Sequence, residues 1–201
     1  MRTLRRRACG PGPVGGALAG DSAQTPKRKR NACLMACVAV VWLAADLATK
    51  GYVNSGAYAV GQDIAGPFLG LFKFTLVHNT GAAWGLFAGF PVLLGVFSLV
   101  ICALLLVWLF VVNPTARAAE AFAVGLVFAG GLGNAYDRFF TGYVVDFINV
   151  TFMDFPVFNV ADIGVTCGII LLVVSVALFD FKEYPGEDAD AGEGSQPAER
   201  P

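Results

Sequence analysis

Four apolar segments, at 32–53, 90–112, 118–136 and 160–179, each match or nearly match the ~20 residues a helix needs to cross a bilayer. No other feature constrains the chain as strongly, because a helix that is apolar all round must be surrounded by lipid or by other helices. The balance of charge agrees. Of the 201 residues, 14% are charged, against about 25% in an ordinary soluble domain, too few to coat a soluble surface. The expected fold class is therefore a mainly α membrane protein with four transmembrane helices, in a domain spanning 31–181. The first segment has the basic flank and apolar core of a signal peptide. However, no clean small-x-small cleavage site precedes its polar end, and Asp46 and Lys50 stand where the core should stop. It is read as a retained helix.

Residues 1–30 are rich in Gly, Pro, Ala and Arg with no apolar period, and are expected to form a disordered basic tail. Residues 182–201 are expected to form a disordered acidic one. The run "KRKR" at 27–30 places the N-terminus in the cytoplasm, and four spans return the C-terminus to the same side. Arg117 in the short loop 113–117 fits that orientation. The outer segments, 54–89 and 137–159, hold only Lys73 and Arg138 as basic residues. Within them, 71–77 and 141–150 are β-branched and aromatic and read as strands of a small extracytoplasmic sheet. The five cysteines show no metal-ligand spacing and read as small hydrophobes.

The polar residues in or beside the spans are Asp46, Lys50, Asn79, Asn134, Asp137, Arg138, Asp146, Asn159 and Asp162. With this topology all of them fall in the outer layer, and the cytoplasmic half reads as bare. Ionisable groups inside a span mark a functional site by default. Asp46 and Lys50, at i and i+4, share one helix face, as do Asn134, Asp137 and Arg138 at i, i+3 and i+4. Arg138 has the geometry for a bidentate carboxylate pair. His78 is the only histidine, which leaves no Ser/His/Asp or Cys/His set and no zinc cluster. Carboxylates remain. Two aspartates held close share a proton, so that one draws a proton from water while the other polarises a carbonyl. Composition and topology leave open which two form the pair.

The stretches "DLATK" (46–50), "HNTGAAWG" (78–85), "GGLGNAYDR" (130–138), "VVDF" (144–147) and "FNVAD" (158–162) together resemble the motif set of the lipoprotein signal peptidase (signal peptidase II) family. The resemblance covers roughly residues 32–180, in order. It implies an intramembrane aspartic endopeptidase of the bacterial cytoplasmic (inner) membrane. Such an enzyme removes the signal peptide of prolipoproteins, cutting before a diacylglyceryl-modified cysteine. It implies Asp146 and Asp162 as the catalytic pair. Asn79, Asn134, Arg138 and Asn159 would support the dyad or bind substrate. Asp46, Lys50 and Asp137 would be structural members of the polar layer. The family's small β-cradle agrees with the strand reading. No cofactor and no metal are implied. The partners would be membrane lipid and the prolipoprotein, with no nucleic acid, and the enzyme is expected to act as a monomer.

Two competing readings remain at this stage. Asn159 and Asp162 are each also suited to cap a helix N-terminus, and Asp154 reads as a solvated turn residue. A four-helix transporter or proton-relay subunit would need buried carboxylates too, but its polar path should run through both halves of the bilayer.

Overall fold

The structure, a computed structural model, describes residues 19–180. Its elements are α1 (Ala19–Val53), β1 (Asp63–Phe68), β2 (Phe72–Asn79), α2 (Pro91–Val107), α3 (Ala118–Phe140), β3 (Val144–Val150) and α4 (Val160–Asp180). A π-helical turn, Trp108–Val112, ends α2, and a single 3-10 turn, Ala83–Gly85, precedes it. All four helices are long and apolar enough to cross a membrane. The fold is thus a mainly α membrane protein with one small sheet, as expected.

The helix boundaries depart from the apolar pattern at two places. Residues 19–30, expected to belong to an unstructured tail over 1–30, are instead helical, because α1 already begins at Ala19. Lys27 to Arg30 are good helix formers, and extending a helix that packing has nucleated adds one hydrogen bond per residue ordered. The remainder of that tail and the acidic tail at 182–201 lie outside the described residues. Helix α3 runs to Phe140, four residues beyond its apolar pattern. The polar residues of its last turns face a protein seam, where other polar groups meet them.

Helix α3 is the core. It packs against α1, α2 and α4, and 67% of its most apolar window is buried, against 11–22% for the other three spans. Small residues make this possible. A Cβ at Gly130 would collide with the backbone carbonyl of Ala161 on α4, and one at Gly133 with the Asp46 carboxylate on α1. Without side chains at these positions the helices approach closely, which is how packing replaces the hydrophobic drive inside lipid. The outward faces of α1, α2 and α4 expose Val40, Val41, Leu93, Phe97 and Val173.

The sheet has the order β1-β2-β3, antiparallel throughout. Strands β2 and β3 lie where the alternating pattern places them. Strand β1, "DIAGPF", lies outside the two expected strands, and its Gly66 and Pro67 are residues that ordinarily weaken a strand. Pro lacks a donor but is tolerated on an edge strand, and β1 is the edge. Ile64 of β1 packs, with Phe74 and Val160, around buried Val53, Leu76, Val145 and Phe147, which fasten the sheet to the ends of α1 and α4.

Gly130→Ala should destabilise the protein by about 1–3 kcal/mol through overpacking. Gly51 on α1 has nothing within 4 Å of its ideal Cβ, so Gly51→Ala should be neutral or stabilising by up to about 1 kcal/mol. Thermal unfolding in detergent distinguishes them. Equal melting temperatures for the two variants would contradict the close α3–α4 approach.

Candidate active site

Strand pleating delivers the first carboxylate. Asn79 pairs with Val144 across β2 and β3. Side chains two apart share a face, so Asp146 lies on that face, diagonal to Asn79. Asn79 Nδ2 donates to Asp146 Oδ2 at 2.9 Å, while Asn79 Oδ1 accepts the Gly81 N–H at 2.9 Å and so folds the chain back after β2.

A helix cap delivers the second. Asn159 Oδ1 accepts the Asp162 N–H at 3.0 Å, and Asp162 Oδ2 accepts the Asn159 N–H at 3.1 Å. This reciprocal pair is a capping box opening α4. Capping therefore does not compete with a site role. One carboxylate oxygen of Asp162 caps the helix, and the other, Oδ1, accepts from Asn134 Nδ2 at 2.8 Å. Asn159, which is fully buried, uses its Nδ2 to reach Asp146 Oδ1 at 2.7 Å and Asn134 Oδ1 at 3.1 Å. One asparagine thus touches both aspartates.

Lys50 organises the layer beneath. An ammonium has three donors, and all three are engaged: with Asp46 Oδ2 at 2.8 Å, Asp137 Oδ2 at 3.1 Å and Asn134 Oδ1 at 2.9 Å. Lys50 is 3% exposed and Asp46 not at all. The two carboxylates in turn fix backbone. Asp46 Oδ1 accepts the Ala161 N–H at 2.8 Å and Asp137 Oδ2 the Val145 N–H at 3.2 Å, each next to a candidate catalytic aspartate. Because Lys50 also orients Asn134, α1 reaches the Asp162 carboxylate through one intermediate and that of Asp146 through two, Asn134 and Asn159.

Arg138 departs from its expected role. It does not hold a carboxylate side-on. Its Nη1 donates to the Asn134 carbonyl at 3.3 Å and its Nη2 to the Gly81 carbonyl at 3.2 Å, while its buried Nε has no partner. The adjacent Asp137 carboxylate is already committed to Lys50 and the Val145 amide. Arg138 therefore ties the loop after β2 to α3, a role that sequence spacing does not signal because Gly81 acts through its backbone.

Asp146 and Asp162 line one cavity of about 570 Å³, with Asn79, Asn134, Arg138 and Trp84 on its walls. Trp84 lies edge-on to Phe155, with centroids 6.1 Å apart. Asp146 is 2% exposed. Burial, and then the neighbouring Asp162 carboxylate, push its pKa up to about 7, against the opposing pull of the Asn79 and Asn159 amides. The pair therefore retains a proton near neutrality. Asp154 is exposed and outside the strands, apart from this constellation. Among the described residues no group of His, Cys, Asp and Glu side chains is arranged to hold a metal ion.

Two further features lay outside the sequence reading. His78 sits in β2 and not in a turn. It stacks on Tyr143 at 3.8 Å and its Nε2 bonds Asn54 Oδ1 at 2.8 Å, clamping the sheet to the end of α1. The membrane edge opposite Asp146 and Asp162 is not bare either. There Glu120, 1% exposed, accepts from Asn113 Nδ2, the Arg117 N–H and Nη1, and Ser175 Oγ at 2.9–3.3 Å. No Asp, Glu, Lys or Arg lies between the two polar layers on any span, so they do not form a continuous charged path.

Lys50→Met should lower stability by about 3–5 kcal/mol, because it leaves the buried Asp46 and Asp137 carboxylates without a counter-ion. Chemical or thermal unfolding in detergent measures this. Wild-type stability would show that the three-way contact is not what holds the layer together.

Comparisons with known proteins agree with this geometry. The family model described as Signal peptidase (SPase) II matches residues 38–178. The lipoprotein signal peptidase of Gloeothece citriformis is 40% identical over 138 residues, which is 69% of this chain and 85% of that protein. The lipoprotein signal peptidase of Francisella tularensis subsp. novicida is 33% identical over 153 residues, 73% of this chain and 92% of that protein. A solved bacterial membrane enzyme, determined by the in meso method at 2.3 Å resolution, superposes with a TM-score of 0.68 at 29% identity, covering 77% of this chain and 94% of that one. With a constellation of this kind at the end of its spans and a family match over more than half its length, the chain belongs to the signal peptidase II family.

Proposed function

We propose that this protein is an aspartic endopeptidase that removes the signal peptide from diacylglyceryl-modified prolipoproteins, cutting before the lipidated cysteine. The observation that carries this reading is the bridging Asn159. It bonds Asp146 and Asp162's own amide, and the two carboxylates line one cavity, which supports a proton shared between them. The ionised member of the dyad takes a proton from water as the water oxygen attacks the scissile carbonyl carbon. The protonated member donates to the carbonyl oxygen, giving a neutral gem-diol. A dyad proton then passes to the amide nitrogen as the C–N bond breaks, and a gem-diol hydroxyl returns one proton to the dyad as the new carboxyl group forms, restoring the single shared proton. Asn79, Asn134 and Asn159 hold the carboxylates in place. The unpartnered Nε of Arg138 supplies a donor for a substrate carbonyl.

The topology proposed is that of a multi-pass protein of the bacterial cytoplasmic membrane, with both termini cytoplasmic and the site near the outer face. Its support is the cluster Lys27–Arg30 and Arg117 at the end opposite the dyad. One chain supplies every group of the site, which supports action as a monomer. The acyl chains of the substrate are held from surrounding lipid, between helices.

Cleavage of a lipid-modified prolipoprotein peptide in detergent tests the assignment. Asp146→Asn and Asp162→Asn should each lower kcat by about 10²–10⁴-fold without unfolding the protein, and Asp154→Asn should act like wild type. Near-wild-type turnover in either dyad variant would exclude this pair.

The pH dependence has a definite sign. The Asp146 pKa is raised to about 7, so the shared proton is present below neutrality and lost above it. The kcat/KM should therefore fall as pH rises through about 7, as a property of the dyad and not of one residue. A pH profile still rising well above neutrality would be inconsistent with a shared proton.

A further inference from the structure

The geometry points to a second ligand site, unrelated to catalysis: a pocket for an anionic phospholipid at the membrane edge opposite the dyad. A cavity of about 930 Å³ opens there between the end of α2 and the last turns of α4. Its polar lining, Asn113, Thr115, Arg117 and Glu120, comes from the loop after α2 and the start of α3, and its apolar floor, which includes Leu105, Val173 and Ala177, comes from α2 and α4. That division is the one a phospholipid presents, with a phosphodiester above and acyl chains below. Trp108 also lines the cavity, and indole rings are enriched at bilayer interfaces. It opens the π-helical turn Trp108–Val112, a wider turn that is frequent at functional sites.

Charge selects the headgroup. Asn31 Nδ2 donates to the Ala116 carbonyl at 2.6 Å, which fastens the start of the apolar part of α1 to the loop carrying Arg117. The exposed Lys27, Arg28, Lys29 and Arg30 therefore lie within about one helical turn of that attachment. With Arg117 they make five cations, and the acidic residue lining the cavity beside them is Glu120. The Glu120 charge is already committed to the Arg117 guanidinium, Asn113 and Ser175. What remains at the rim is positive, and basic pockets between membrane helices at such an edge take anionic headgroups. A free phosphate would leave the apolar floor unused, and so would the carboxylates of an acidic peptide.

Native mass spectrometry of the full-length protein in detergent tests this. Phosphatidylglycerol and phosphatidylcholine of identical acyl chains are titrated in parallel, with inorganic phosphate in a third arm. Phosphatidylglycerol should bind at least about fivefold more tightly than phosphatidylcholine, and the preference should shrink as salt is raised. Arg117→Gln should reduce the preference about fivefold, and Arg117→Lys should restore much of it. Ala177→Phe, at an exposed position on α4, fills the apolar floor without touching a charge and should weaken phosphatidylglycerol binding. Equal affinity for the two lipids would overturn the proposal. So would phosphatidylglycerol binding unaltered in Ala177→Phe, or full competition by inorganic phosphate alone.

Discussion

The structure depends on the Lys50 ammonium. It is buried at a membrane-spanning position, where an unpaired charge would be expensive, and it answers that with three contacts on two elements. Asp46 comes from its own helix, and Asp137 and Asn134 from α3. Each contact is also a position statement. Asp46 holds the Ala161 amide one residue before Asp162, Asp137 holds the Val145 amide one residue before Asp146, and Asn134 donates to Asp162 directly. The proposed dyad is thereby fixed from behind, leaving its front to a cavity.

The approach of α1 and α4 to α3 makes those contacts reachable. Gly133 admits the Asp46 carboxylate and Gly130 admits the backbone of Ala161. The small-residue seam and the polar layer are thus one construction. Inside lipid, helices gain little from burying apolar surface against each other, so close packing and satisfied polar groups must do that work. The sheet contributes differently. Its register places Asn79 diagonal to Asp146, and its attachment through Val53, Leu76 and Phe147 keeps that face turned toward the start of α4.

Much of this was legible beforehand because it rests on local rules. The spans follow from runs of apolar residues, and α2 with its π-helical turn and α3 start where those runs start. Strands β2 and β3 follow from β-branched alternation. The grouping of Asp46, Lys50, Asn134, Asp137, Asn159 and Asp162 at one end of the bundle follows from topology alone. Other features were hidden because their cause is not in the residues that display them. Strand β1 exists only because β2 offers it an edge. Arg138 ties down a backbone carbonyl of Gly81, which carries no side chain to signal the contact. The Glu120 cluster was hidden because it joins Asn113 of the preceding loop to Ser175, 55 residues away on α4.

The sequence by itself determined that four segments are long and apolar enough to cross a membrane, that a single histidine is present, and that its motifs resemble those of one peptidase family. The first two are properties of composition and period and the third is a resemblance of motifs in order, and all survive without coordinates. Only the tertiary structure decided how Asp162 caps a helix and lines the cavity at once, and that Asn159 is the residue joining the two aspartates. It also decided that Lys50 spends all three of its protons on the layer behind them. The reason is physical. A carboxylate has two oxygens and an ammonium three hydrogens, and which partner each one meets depends on how closely the helices approach, a distance set by the glycines of α3 and by the seam they allow.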